Sequence, residues 1–175
     1  MGEGATALYE GADAHGDAIL YAESDDGVLW EKPDLNVVQA SGAPSNILIP
    51  GHHAPTVFEP PDGVPGVYLA AWSWEERAYR CYHAADGVNF ERISNAPMFT
   101  PIGETLEVIS VDRNPLTSQW IAYHRQWDHR FWPARRAIAC RVSNDAVSWS
   151  EPSRCITPDV VDDEDADLHA APPGM

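Results

Sequence analysis

The chain has 175 residues, 44% of them hydrophobic, with Lys+Arg 11 against Asp+Glu 27 and a formal net charge of −16. That length can bury one domain core, and no stretch is apolar for long enough to span a bilayer as a helix. An acidic surface of this strength repels phosphate backbones and anionic headgroups, so nucleic acid and membrane are not expected as partners. The opening residues lack the basic and apolar regions of a secretory signal. A cytoplasmic location is therefore the default expectation, and an upstream segment is left open.

In chain order, residues 5–10 and 17–23 read as two short strands around a Gly/Asp loop. An Asp-Gly hairpin follows at 24–30 and ends at Lys32–Pro33. Residues 34–50 form a connection broken by Asn36, Gly42, Pro44 and Pro50. Strands are expected at 56–58, 67–74, 78–83 and 88–92. The same set of four recurs at 106–111, 120–125, 136–142 and 147–150. No segment shows helical periodicity. Residues 1–158 are taken as one domain, and 159–175, acidic and then rich in Ala and Pro, as a solvated tail.

One stretch is written three times. Asp26, Asp86 and Asp145 stand 60 and 59 residues apart, a spacing regular enough to be an internal repeat. Val28, Val88 and Val147 follow two positions later, and Trp30, Phe90 and Trp149 four positions later. That period of two places both side chains on the buried face of an outgoing strand. Tyr21, Cys81 and Cys140 stand five positions before, and Ile19, Tyr79 and Ile138 seven before. Gly27 and Gly87 supply the positive φ of a tight turn. Ala146 replaces that glycine in the third copy, which predicts a different turn type or mild strain. The three aspartates read as turn residues bonding their own backbone rather than as catalytic acids. Cys81 and Cys140 read as small core residues, since three cysteines cannot all pair.

Four strands per sixty residues is one blade of a β-propeller. The fold class is therefore all-β, with blades of four antiparallel strands. About two and a half to three blades are visible, an incomplete ring, because closure takes about four to eight. End blades of an open ring leave apolar faces and unpaired edges, so self-association through those edges is expected.

The run Leu20–Tyr21–Ala22–Glu23–Ser24–Asp25–Asp26–Gly27–Val28–Leu29–Trp30–Glu31–Lys32–Pro33 resembles a hairpin of the five-bladed β-propeller glycosidase superfamily, which includes glycoside hydrolase families 32 and 43. Ser45–Asn46–Ile47, Pro55–Thr56–Val57–Phe58, Trp120–Ile121–Ala122–Tyr123–His124–Arg125, and the segment from Arg141 to Pro152 extend the likeness over most of residues 17–158. The resemblance implies hydrolysis of a glycosidic bond by carboxylates near the starts of the innermost strands. One is the nucleophile or base, one stabilises the transition state, and one is the general acid. The middle one, often in Arg-Asp-Pro, falls at His53–Ala54–Pro55, so Ala54 stands in its place. Glu104 occupies about the general-acid position, and the first carboxylate has no aligned counterpart.

Propeller geometry puts His52, His53, Glu104 and the loop 126–132 on one face, with the Asp-Gly hairpins on the other. The expected site is Glu104 as acid, with His53, Trp127, Asp128 and Trp132 contacting a saccharide. Indole rings stack on sugar faces, and the polar groups bond hydroxyls. No metal or cofactor is expected. Adjacent His52 and His53 on a strand point to opposite faces, and the acidic run 162–167 lacks the spacing of a calcium loop. A saccharide- or protein-binding module without catalysis, and a truncated inactive product, are the alternative readings.

Overall fold

The computed structural model describes residues 4–13, 16–38, 45–99, 109–130, 134–159 and 161–162. From residue 5 to residue 156 every named element among these is a β-strand, in three antiparallel sheets. The first holds β1 (Ala5–Asp13), β2 (Gly16–Ser24) and β3 (Ile47–Pro50), in that spatial order. The second runs β4 (His52–Phe58), β5 (Val67–Ser73), β6 (Ala78–Ala84) and β7 (Glu91–Arg92). The third runs β8 (Ile109–Arg113), β9 (Trp120–Asp128), β10 (Arg135–Ser143) and β11 (Ser153–Ile156). Each chain segment pairs with the next, as a blade requires, and the three blades leave the ring open.

The middle blade is buried on both faces. Leu69, Ala71 and Tyr82 pack against Ile19, Tyr21 and Ile49 of the first blade. On the other face, Tyr68, Ala70, Trp72, Tyr79 and Cys81 pack against Ile109, Val111 and Trp120 of the third, with Phe99 between them. Ala70 and Ala71 carry no bulk, which lets flanking rings approach the sheet. Each large side chain removed from water here stabilises the stack by about 1.5–3 kcal/mol.

The third blade repeats the register but not the burial. Ala70 pairs with Cys81 across β5 and β6, and Tyr123 pairs with Cys140 across β9 and β10. Tyr123 is nevertheless 47% exposed and Ile156 66%, because among the described residues no further blade covers that face. All three cysteines are free thiols. Burial pushes the Cys81 thiol up to about 12, as a core residue. Cys140 is only half-buried, and a hydrogen bond with Cys155 is the main cause that raises it to about 11.

The repeated aspartates terminate strands rather than opening them. The Asp26 carboxylate accepts from the amides of Val28 and Leu29, both at 2.8 Å. Asp86 does the same for Val88 and Asn89 at 3.0 and 2.8 Å, and Asp145 for Val147 and Ser148 at 2.9 and 2.7 Å. Amides committed to the aspartate cannot enter a ladder. The expected strand at 88–92 therefore shrinks to β7, the one at 147–150 is absent, and the outermost strand of that blade is β11. The connection 34–50 in turn contains β3. Val28, expected on a buried strand face, is 76% exposed in its loop.

The aromatic residue four after each aspartate does pack where a preceding blade exists. Phe90 lies against the core between blades one and two, and Trp149 against that between two and three. Trp30 has no blade in front of it and is 42% exposed. Ala146 takes φ 61°, beside 74° and 76° at Gly27 and Gly87. The turn type is thus unchanged. Its left-handed backbone carries roughly 1–2 kcal/mol of strain, opposed by burial of its methyl group in the core.

Cross-blade contacts fix which ends lie together. The Trp120 indole donates to the Glu59 carbonyl at 2.9 Å, and Arg113 pairs with Asp62 at 2.5 Å. The ends of β4 and β8 thus share the lower face with the aspartate loops. Gly66 belongs to that face, with φ +89°, and a Cβ there would collide with the backbone of Ala84 and Ala85.

Candidate functional site

The opposite, upper face gathers the start of β4, the end of β1 with the start of β2, the turn after β5, and the end of β9. A bulge lies at the start of β4. His53 pairs with Trp72 and Thr56 with Ala70, so Ala54 and Pro55 together oppose Ala71. Pro55 has no amide to give the ladder, and Ala54 takes φ 50°. The Ala54 N–H is thereby turned out of the sheet and donates to Glu10 Oε2 at 3.0 Å.

The two histidines at this corner have different surroundings. His52 is buried, with Nδ1 2.8 Å from the Pro50 carbonyl and Nε2 2.8 Å from the Tyr82 hydroxyl. Those partners assign the tautomer: Nδ1–H donates to Pro50, and Tyr82 O–H donates to Nε2. Burial is the main cause holding its pKa below the ordinary histidine range. His52 is part of the fold.

His53 also lies at the seam between blades one and two, beside Glu10 and Asp17. Its ring stacks on Trp74, with centroids 4.5 Å apart and planes at 22°. Its Nδ1 lies 3.9 Å from Glu10 Oε1. Its Nε2 is buried with no hydrogen-bond partner among the described residues. The Trp74 indole N–H donates to Asp17 Oδ2 at 2.6 Å. The Asp17 carbonyl accepts from Gly51 N–H at 2.8 Å, which ties β2 to the turn before β4. Two carboxylates, an imidazole and a half-exposed indole therefore meet from two blades. Sequence reasoning selected His53 and missed Glu10, Asp17 and Trp74, which share no local motif with it.

Trp127 and Asp128, expected in the loop 126–132, instead belong to β9, which runs on to Asp128. Gln126, Trp127 and Asp128 pair with Ala137, Arg136 and Arg135. The guanidinium groups of Arg125 and Arg136 lie 5.2 and 5.8 Å from the Trp127 ring centroid. Asp128 is fully buried. It accepts from Arg130 Nε at 2.9 Å and Nη2 at 2.6 Å, and Arg154 Nη1 lies 3.3 Å away. The Arg130 hydrogen bonds are the first cause of a pKa lowered to about 2. His53 and this pair share the upper face but occupy different blades. Glu104 and Trp132 lie outside the described residues.

No family model matches the chain, and no curated protein sequence does. Solved structures do match in fold. A glycosyl hydrolase from Bacteroides ovatus superposes with a TM-score of 0.61 at 13% identity, over 85% of this chain and 47% of that one. A structure from work reporting that the GH130 family of mannoside phosphorylases contains glycoside hydrolases targeting β-1,2 mannosidic linkages in Candida mannan also gives 0.61. Its identity is 14%, with the same coverage. The chain thus spans about half the length of the solved structures it matches. The likeness is one of propeller-type fold, with glycoside hydrolases as neighbours. Assignment to families 32 or 43 in particular is not part of it.

In chemical terms, the seam offers acceptors at Glu10 and Asp17, one imidazole, and an indole able to lie along a sugar ring. Asp128 has its oxygens engaged by two arginines. A hydroxyl reaching it must share or displace those donors.

Proposed function

We propose that this chain is a glycosidase-like, carbohydrate-active propeller segment that holds a saccharide on its upper face. The observation that carries the reading is the seam of Glu10, Asp17, His53 and Trp74. It lies on the face where the inner strands begin, in a fold whose solved neighbours are glycoside hydrolases. His53 bonds hydroxyls there, Trp127 and Trp132 stack on further sugar units, and Asp128 bonds a hydroxyl that displaces one of its arginine donors. Glu104 is the proposed general acid, which protonates the leaving oxygen while a carboxylate across the sugar attacks or activates water. Families 32 and 43 supply that assignment of roles. β-1,2-Linked mannosides and chromogenic glycosides are the first substrates to try. Hydrolysis that disappears in Glu104→Gln supports this reading, and turnover untouched by that change removes Glu104 as the acid.

A second reading, saccharide binding without cleavage, has its own support. Ala54 stands where the glycosidase families place a carboxylate, and its backbone N–H is spent on Glu10. Calorimetric binding of a mannoside with no product after prolonged incubation selects this reading over the first.

A further inference from the structure

We infer that Glu10, Asp17 and His53 form a divalent-cation site at the seam of the first two blades. Their donor atoms lie within 4.8 Å of one another and come from three strands, β1, β2 and β4. Each side chain is held by a group that leaves a donor atom over. The Ala54 amide takes Glu10 Oε2, the Trp74 indole takes Asp17 Oδ2, and the same indole stacks against the His53 ring. Metal sites use such outer contacts to orient their ligands.

The His53 ring supplies an independent observation. Its side chain is only 12% exposed, Nδ1 is 3.9 Å from Glu10 Oε1, and Nε2 is buried without a partner among the described residues. A buried ring nitrogen left without a hydrogen bond is a costly arrangement. A separation of 3.9 Å is too long for a hydrogen bond. Donors that each sit about 2.0–2.2 Å from a shared tetrahedral zinc stand about half an ångström closer, so a small inward turn of the exposed Glu10 side chain completes the pair. One neutral imidazole and two carboxylates carry a charge that a divalent ion neutralises, in a chain of net charge −16. Mixed nitrogen and oxygen donors suit zinc, with a fourth position open to water or substrate on the half-exposed Glu10 side.

Zinc titration of the chelator-stripped chain by calorimetry tests this, in a Cys140→Ser/Cys155→Ser background that removes competing thiols. The expected result is one zinc per chain, weakened at least about tenfold by His53→Ala and by Asp17→Asn. Trp74→Phe keeps every donor but removes the N–H that orients Asp17, and weakens binding by about tenfold. Loss of the His53 ring signals from the free position in the NMR spectrum of the unsubstituted chain, on adding zinc, is the second readout. Absence of saturable binding overturns the site, as does binding indifferent to both His53→Ala and Asp17→Asn. Mannoside titration in chelator reads the saccharide proposal separately, because the cation site stands or falls without sugar.

Discussion

His52 is the residue through which mild acid reaches the fold. It is buried with both ring nitrogens bonded, and its pKa lies below the unfolded value of about 6.5. Between those two values the unfolded chain binds more protons, so stability rises with pH across that window. Acidification from about pH 7.5 to 5.5 is expected to lower the urea midpoint, and His52→Gln to flatten that slope. Asp86, Asp128 and Asp145, each lowered to about 2, act in a separate window. Their contribution is present above the unfolded aspartate value and is lost as pH falls from about 4 toward 2. Gly66 makes a different prediction. Its φ of +89° and the backbone of Ala84 and Ala85 leave no room for a methyl group. Gly66→Ala should cost more than about 2 kcal/mol in a denaturant melt.

At the level of the element, the Asp-centred loop is one structure in three environments. Trp149 and Phe90 pack against cores, whereas Trp30 faces outward. Trp149→Ala is therefore expected to cost about 3 kcal/mol, Phe90→Ala a comparable amount, and Trp30→Ala less than about 1 kcal/mol, by urea denaturation. The positions of these loops were legible in the sequence because Asp, Val and an aromatic recur at fixed offsets. The strand expected after each was not, because alternation of Val and Trp does not reveal that the aspartate has claimed the amides between them. β3 was hidden for a related reason. Only Ile47, Leu48 and Ile49 carry it, between Asn46 and Pro50, too short a run to stand out from a connection.

For the whole molecule, the fold class was readable from the sixty-residue period, while much of the site was not. His53 stood out beside Ala54, but Glu10, Asp17 and Trp74 reach it only when two blades stack, a long-range contact with no local pattern. The uncovered face of the third blade has a consequence for association. Tyr123, Ile138, Cys140 and Ile156 occupy places equivalent to, or paired with, those buried in the middle blade. Sedimentation velocity is expected to show concentration-dependent oligomers, and Tyr123→Lys with Ile156→Lys to return the chain to monomer. A chain that sediments as a monomer at every concentration would remove self-association.

Because the second sheet is enclosed on both sides and its neighbours are not, the three sheets should not open to solvent together. Deuterium uptake ought to be slowest at the amides of Leu69–Ala70–Ala71 and Tyr79–Arg80–Cys81 and fastest along β1 and β11. The molecule would then have a durable centre between two fraying margins. The histidine–indole pair stands where the centre meets one of them, so a ligand bridging that boundary would slow exchange in β1 and β2 before it altered anything in β9.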